Sequence, residues 1–170
     1  MSQFQPALSF LLNNEDPKHQ YAAVPDIGGF AIAGINSASW PSDYAKIAAL
    51  PQSQRAQAVS DFYQFNFWNK MQIGGLVSQD VANRVLDMGV NAGAITGIKI
   101  LQKALWALGC SGIIIDGILG TITIEAANSF DSDRLLASFR QTRLAYYQKI
   151  VDNNPQDQKY FTGWEARALA

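Results

Sequence analysis

The stretch SQDVANRVLDMGVNAGAITGIKILQKALWALG, residues 78–109, decides the fold class. Ser78 is a helix N-cap, because its hydroxyl oxygen accepts from an otherwise unpaired N–H of the first turn. Behind it Val81, Val85, Met88 and Ala92 recur at helical spacing and make one apolar stripe on a helix ending at Ala92. A second stripe, Ile98, Leu101, Leu105 and Leu108, marks a helix over about 95–108, with Gly109 as its C-cap. Two consecutive amphipathic helices need apolar faces to pack on, so the flanking sequence is read for more of them.

Toward the C-terminus, Ile113-Ile114-Ile115 reads as a short buried strand or an extended link. Asp116-Gly117 is a turn, and Gly120 to Thr123 enters a short helix with Thr123 as a capping residue. Residues 132–152 predict a longer helix bearing Leu135, Phe139, Tyr146, Ile150 and Val151, and 156–169 a closing helix bearing Phe161, Trp164 and Leu169. Toward the N-terminus, Phe4, Leu8, Leu11 and Leu12 put a helix over 4–14, ended by Asp16-Pro17. Residues 18–36 read as loop and short β-hairpin around Asp26-Ile27-Gly28-Gly29. Pro41 opens a helix to about Ala49, and Pro51 opens another carrying Val59, Phe62, Tyr63 and Phe67. The expected fold is therefore mainly α, a helical bundle with a small β-hairpin near residues 20–36.

Composition narrows the function. Thirteen Lys+Arg against 14 Asp+Glu in 170 residues give a formal net charge of -1, which excludes a strongly electrostatic nucleic-acid binder. The single cysteine, Cys110, and single histidine, His19, exclude an internal disulfide and a multi-histidine metal centre. They are not read as a nucleophile and base, since no third residue orients them. No metal or cofactor is expected. No apolar run reaches membrane-spanning length, and the first residues lack a secretory pattern. The expectation is synthesis in the cytoplasm, without membrane insertion, as a monomer.

Several groups remain for chemistry. Glu15 stands at the C-terminal end of an apolar helix, where the negative end of the helix dipole disfavours its charged form. A carboxyl kept protonated in this way is a general acid. Asp26 lies in the following turn, where a hairpin brings it back across from Glu15. Two such carboxyls flanking a glycosidic bond are the usual glycosidase pair. The other reading makes Glu15 a solvated helix-end residue and Asp26 an aspartate that shapes its turn. Arg84, Asp87 and Asn91 share one helix face, with Tyr63 and Trp68 near them. They suit a sugar cleft, or a buried polar network in which Asp87 pairs with Arg84.

Together these residues resemble glycoside hydrolase family 108, the N-acetylmuramidases that join an N-terminal catalytic segment to a C-terminal peptidoglycan-binding-like segment. The resemblance is carried by Asn14-Glu15-Asp16-Pro17, Asp26-Ile27-Gly28-Gly29 through Gly34-Ile35, Phe62 to Trp68, and Asp87-Met88-Gly89-Val90-Asn91-Ala92-Gly93. It continues in Leu101-Gln102-Lys103-Ala104-Leu105, Asp116-Gly117-Ile118-Leu119-Gly120 with Thr123, and Phe161-Thr162-Gly163-Trp164 with Arg167. Asp16-Pro17 replaces the two glycines that follow the family's glutamate, and Ala31 and Ala33 replace its threonine and aromatic.

The resemblance implies a lysozyme-like fold, with a muramidase-like segment over 1–70 and a peptidoglycan-binding-like helical segment over 71–170, packed as one unit. It implies cleavage of the β-1,4 bond between N-acetylmuramic acid and N-acetylglucosamine in peptidoglycan, after export by a holin or a secretion system. Glu15 and Asp26 are then the catalytic residues, and Tyr63, Trp68, Asp87 and Asn91 bind the glycan. The alternatives are an inactive cell-wall-binding or secretion-assisting protein, and an assembly protein on the same fold. The assignment of Glu15 as an acid kept uncharged by its surroundings requires a carboxyl facing a trench; a salt bridge from an arginine, or no trench wide enough for a hexose, ends it.

Overall fold

The computed structural model describes residues 1–170. Helix α1 (Phe4–Glu15) leads into strands β1 (Ala23–Asp26), β2 (Gly29–Ile32) and β3 (Ile35–Asn36). Seven helices follow: α2 (Pro41–Ala48), α3 (Arg55–Tyr63), α4 (Gln79–Ala92), α5 (Ala94–Ala107), α6 (Thr121–Ser129), α7 (Ser132–Asn153) and α8 (Gln158–Leu169). The fold is mainly α and lysozyme-like, with one small antiparallel sheet in the order β1-β2-β3.

Local chemistry explains the elements. Pro6 is tolerated in the first turn of α1, where backbone N–H groups have no helical acceptor. Ser78 caps α4 by accepting from the Val81 N–H, as expected. At the end of α5 the Gly109 N–H donates to the Trp106 carbonyl at 2.9 Å and the Cys110 N–H to the Leu105 carbonyl at 3.0 Å. With Gly109 at φ 97°, this is a Schellman stop. Asp131 caps α7 by accepting from the Arg134 N–H.

Three features depart from the sequence reading. A third strand, β3, pairs Ile35 with Ile32 and is too short for alternation to reveal. Helix α3 runs on into a π-helical turn, Gln64–Asn69. The wider turn changes the phase of the helix, so Phe67 and Trp68 both face inward. Thr123 is not the cap of α6; it is buried, and Gln102 reaches it. Of the two readings of Ile113-Ile114-Ile115, the extended link holds: Ile113 is buried in an irregular segment and Ile114 is exposed.

One apolar cluster extends from Phe4 to Ala168 and takes side chains from both ends of the chain. Its axis is the α4–α5 pair, with α1 and α7 packed on it and α8 on α7. The α4–α5 crossing is close because both helices present glycine. A Cβ on Gly97 would lie 2.7 Å from the Gly89 nitrogen and 2.8 Å from its Cα. Gly97→Ala therefore pushes α4 and α5 apart and is expected to cost about 1–3 kcal/mol. Gly163→Ala on α8, where a Cβ meets nothing within 4 Å, is expected to be neutral or to stabilise by up to about 1 kcal/mol. Urea unfolding of both variants beside the wild type tests the contrast.

Candidate active site

Helix α1 delivers Asn14 and Glu15 beside α4, and α4 delivers Asp87 and Asn91 on one face. Asp87 is completely buried, at 0% exposure, and Arg143 on α7 is 1% exposed. Arg143 Nη2 donates to Asp87 Oδ2 at 2.8 Å. Arg167 on α8 donates through Nε to both Asp87 oxygens at 3.1 Å and through Nη2 to Oδ1 at 2.7 Å. Asn14 Nδ2 adds a bond to Oδ1 at 3.1 Å. Asp87 is therefore not the glycan-binding residue expected; with no exposed surface, it ties α1, α7 and α8 to α4. Its partners are Arg143 and Arg167, not the expected Arg84, which turns to Asp80 instead.

Tyr147 extends this network. Its hydroxyl accepts from Arg143 Nε and Nη2 at 3.1 Å and donates to Asn91 Oδ1 at 2.6 Å. Trp164 of α8 stacks on the Tyr147 ring, with centroids 5.3 Å apart and planes at 18°. Burial pushes the Tyr147 phenol above its ordinary pKa.

Glu15 is the other acceptor for Arg167. Nη2 donates to Glu15 Oε1 at 2.6 Å, and the two side chains are 18% and 16% exposed. The neutral carboxyl expected at the end of α1 is therefore an ion-paired carboxylate in this state. The physical reason is local charge: the end of the α1 dipole and two carboxylates converge there, and Arg167 neutralises them. Desolvation works against the Arg167 cation, but the hydrogen bond and charge of Asp87, then those of Glu15, outweigh it and raise its pKa above the ordinary value.

The second oxygen of Glu15 faces the β2–β3 turn. Ala33 and Gly34 there have φ of 46° and 80°, both left-handed, the signature of a type I′ hairpin turn. A Cβ on Gly34 would lie 2.6 Å from Glu15 Oε2 and 2.8 Å from the Tyr63 hydroxyl. Glycine at 34 is what lets the turn and the carboxyl meet. Tyr63 is not a cleft residue as expected; it is 1% exposed, and its hydroxyl donates to the Ala33 carbonyl at 2.7 Å. Burial first, and the Glu15 charge second, raise its pKa well above the ordinary value. Trp68 is likewise a core residue, packed on Phe4 with ring centroids 5.7 Å apart.

Asp26 is exposed at the far end of β1. Its carboxylate accepts from the Ile27 N–H at 2.7 Å and from Asn36 Nδ2 at 2.8 Å, so it shapes the hairpin tip. The register pairs Asp26 with Gly29, while Ala23 pairs with Ile32 next to the Glu15 turn. That separation is about 10 Å along the strand. Asp16 accepts from the Tyr21 N–H at 2.7 Å and shapes the loop after α1.

An open cavity of about 400 Å³ adjoins the buried network and is lined by Asn14, Asn91, Gly163, Trp164, Ala166, Arg167 and Ala170. Asn91, expected to bind substrate, is on its wall; Glu15 is not. Sequence reading missed Arg143, Arg167 and Tyr147 as site residues. The signal for the first and last was their i, i+4 spacing on one helix face. Gln102 was missed in the same way. It donates to Asp116 Oδ1 at 2.8 Å and accepts from the Gly117 N–H at 2.9 Å, knotting α5 to the turn before α6. The Gln102 bond and the Ile118 N–H hold the Asp116 carboxyl below its usual pKa. No cluster of three or more His, Cys, Asp and Glu side chains is assembled, and no helix is long and apolar enough to cross a membrane.

Removing Asp87 leaves the buried Arg143 cation with no acid partner. Asp87→Ala is expected to cost about 3–5 kcal/mol, because the remaining charge is buried and uncompensated. Loss of the Arg143 partner is checked by the midpoint of chemical unfolding, and a drop below about 1 kcal/mol contradicts the role given to this pair.

Residues 18–93 match the family described as Glycosyl hydrolase 108, and residues 96–169 match the Predicted Peptidoglycan domain. The first match begins after Glu15. No curated protein matches the chain. The fold is similar to the solved structure of Brucella abortus SagA, with a TM-score of 0.64, 24% identity, and coverage of 98% of this chain and 93% of that one. The two matches stand in the pair and order that the sequence resembles, glycoside hydrolase 108 first and peptidoglycan domain second, and together they point to a peptidoglycan-related hydrolase.

Proposed function

We propose that the protein cleaves the β-1,4 bond between N-acetylmuramic acid and N-acetylglucosamine, with Glu15 as the general acid. The observation that carries the reading is the division of the Glu15 carboxylate. Oε1 is held by Arg167, while Oε2 has no partner and abuts the turn at Gly34. The family match over 18–93 supports glycosidase chemistry; Glu15 lies outside it, and its role rests on the geometry.

The arginine pair is compatible with acid catalysis because Arg167 has a second anchor. Arg167 keeps its bonds to Asp87 when it gives up the one to Glu15. Glu15 then takes a proton from solvent and delivers it to the leaving oxygen of the sugar. No second carboxylate is in place beside it: Asp26, the expected partner, stands at the hairpin tip, about 10 Å along the strand from the Glu15 turn.

The Glu15–Arg167 pair also favours a second reading, a wall-binding protein that does not cut. The two are separated by incubating the pure protein with peptidoglycan sacculi and assaying new reducing ends. Hydrolysis is expected from the wild type, with the new ends reduced by borohydride to muramitol. Glu15→Gln is expected to lower the rate at least about 100-fold, the loss of a positioned acid. No release from the wild type, with the protein pelleting on sacculi, establishes the second reading instead. Equal release by Glu15→Gln removes Glu15 from the mechanism. Glucosaminitol ends in place of muramitol assign the cut to the other linkage.

A further inference from the structure

We infer that the cavity between Asn14, Asn91, Trp164 and Arg167 is a binding site for a carboxylate carried on the peptidoglycan strand. The inference rests on peptidoglycan being the polymer the protein meets; it adds a second recognition point, on the α8 side of Arg167, away from Glu15 Oε2.

The buried network fixes which atoms face the cavity. The Tyr147 hydroxyl accepts two bonds from Arg143, so its own proton goes to Asn91 Oδ1. That orients the Asn91 amide and leaves Nδ2, a donor, without a protein partner. The Asp87 carboxylate accepts from Asn14 Nδ2, which leaves Asn14 Oδ1, an acceptor, turned outward. Arg167 spends Nε and Nη2 on Asp87 and Glu15. Its Nη1 donates to nothing in the protein and is not among the buried unpaired atoms, so it is open to solvent.

The cavity therefore offers one cationic donor, one neutral donor and one free acceptor, all held in place from behind; the Ala170 oxygen on its rim is taken up by Arg84 and Arg140. It has about 400 Å³ of open space and a tryptophan wall. A carboxylate takes the two donors, and a neighbouring hydroxyl or amide N–H gives to Asn14 Oδ1. A charge-assisted pair of this kind is stronger than the hydrogen bonds of a neutral sugar. A plain hexosamine fills only the neutral positions, so the site distinguishes the acidic sugar or its peptide from the neutral one.

The test is a titration of the 15N-labelled full chain followed by amide and side-chain NMR shifts. N-acetylmuramic acid carries the carboxylate on the sugar, muramyl dipeptide carries it on the peptide, and N-acetylglucosamine carries none. None of the three holds a glycosidic bond between sugars, so the readout is independent of turnover. Shifts at Asn91, Gly163 and Arg167 are expected with an acidic probe, at an affinity at least about tenfold above that of N-acetylglucosamine, the worth of one charged hydrogen bond. Whichever acidic probe binds tighter identifies the source of the carboxylate.

Asn91→Asp keeps the acceptor for Tyr147, replaces the donor with a charge, and is expected to weaken the acidic probe at least about tenfold. Gly163→Asp sets a carboxylate on the cavity rim where a Cβ meets nothing within 4 Å, and is expected to do the same without disturbing any hydrogen bond. Equal binding of N-acetylglucosamine, or no response of these residues to either acidic probe, overturns the inference. So does unchanged affinity in Gly163→Asp. Hydrolysis of sacculi with no binding here leaves the proposed reaction standing and this site refuted; binding without hydrolysis does the reverse.

Discussion

A carboxylate with no exposed surface sets the terms for this molecule. Asp87 lies where α1, α4, α7 and α8 converge, and its charge is costly to bury. Two guanidiniums and an amide answer it, each from a different helix. The arrangement does more than neutralise charge. A bidentate arginine fixes direction as well as distance. Arg167, bidentate to Asp87, therefore sets the angle at which α8 meets α4, and Arg143 ties α7 to it by a single bond. Helix α8 depends on this most, since Ala168 is its one buried residue. Its seat is the Arg167 fork and the Trp164–Tyr147 stack, both parts of the polar network.

That dependence explains why the functional groups stand where they do. Glu15 is at the end of α1, an unfavourable place for a negative charge. Nearby carboxylates make it worse unless a cation is shared. Arg167 is that cation, and it reaches Glu15 because Asp87 already orients it. Opposite, the tight β2–β3 turn brings backbone against the same carboxyl, with Tyr63 holding the turn by its Ala33 carbonyl. The catalytic candidate is thus fixed from two sides by elements distant in the sequence.

Much of the architecture was legible from residue spacing. Apolar residues at helical intervals located the helices, and the caps at Ser78 and Gly109 located two of their ends, because these signals are local. The hairpin was legible from Asp26 to Gly29 for the same reason. What escaped was long-range or depended on phase. Nothing in the neighbourhood of Glu15 announces an arginine 152 positions away. Trp68 and Tyr63 sit among aromatics and read as a sugar platform, but the π turn rotates Trp68 into the core, and Tyr63, on α3 before it, is spent on the Ala33 carbonyl. Asp87 and Arg84 share a helix face, and their pairing was the local guess; partners from α7 and α8 outcompeted it. Asp26 shows the limit from the other direction. A turn-shaping aspartate and a catalytic one have the same sequence context, and its bonds to Ile27 and Asn36 serve the turn without using up its acceptor capacity.

The salt bridge on Glu15 is the point at which sequence expectation and geometry meet most sharply. Had Arg167 no other acid, removing it from Glu15 would strand a buried cation, at a cost of several kcal/mol. Its three contacts with Asp87 change that. Letting go of Glu15 sacrifices one charge-assisted hydrogen bond, about 1.5–3 kcal/mol, while the guanidinium stays neutralised. In the proposed reaction an arriving glycosidic oxygen offers Glu15 a new hydrogen-bond partner, which acts in the direction of release. A carboxylate bound at Nη1 in the adjoining cavity acts in the same direction, since it draws the cation toward a second acid. In the proposed reaction, ligand binding and release of the acid are linked through a single side chain, with Asp87 as the fixed point about which it turns.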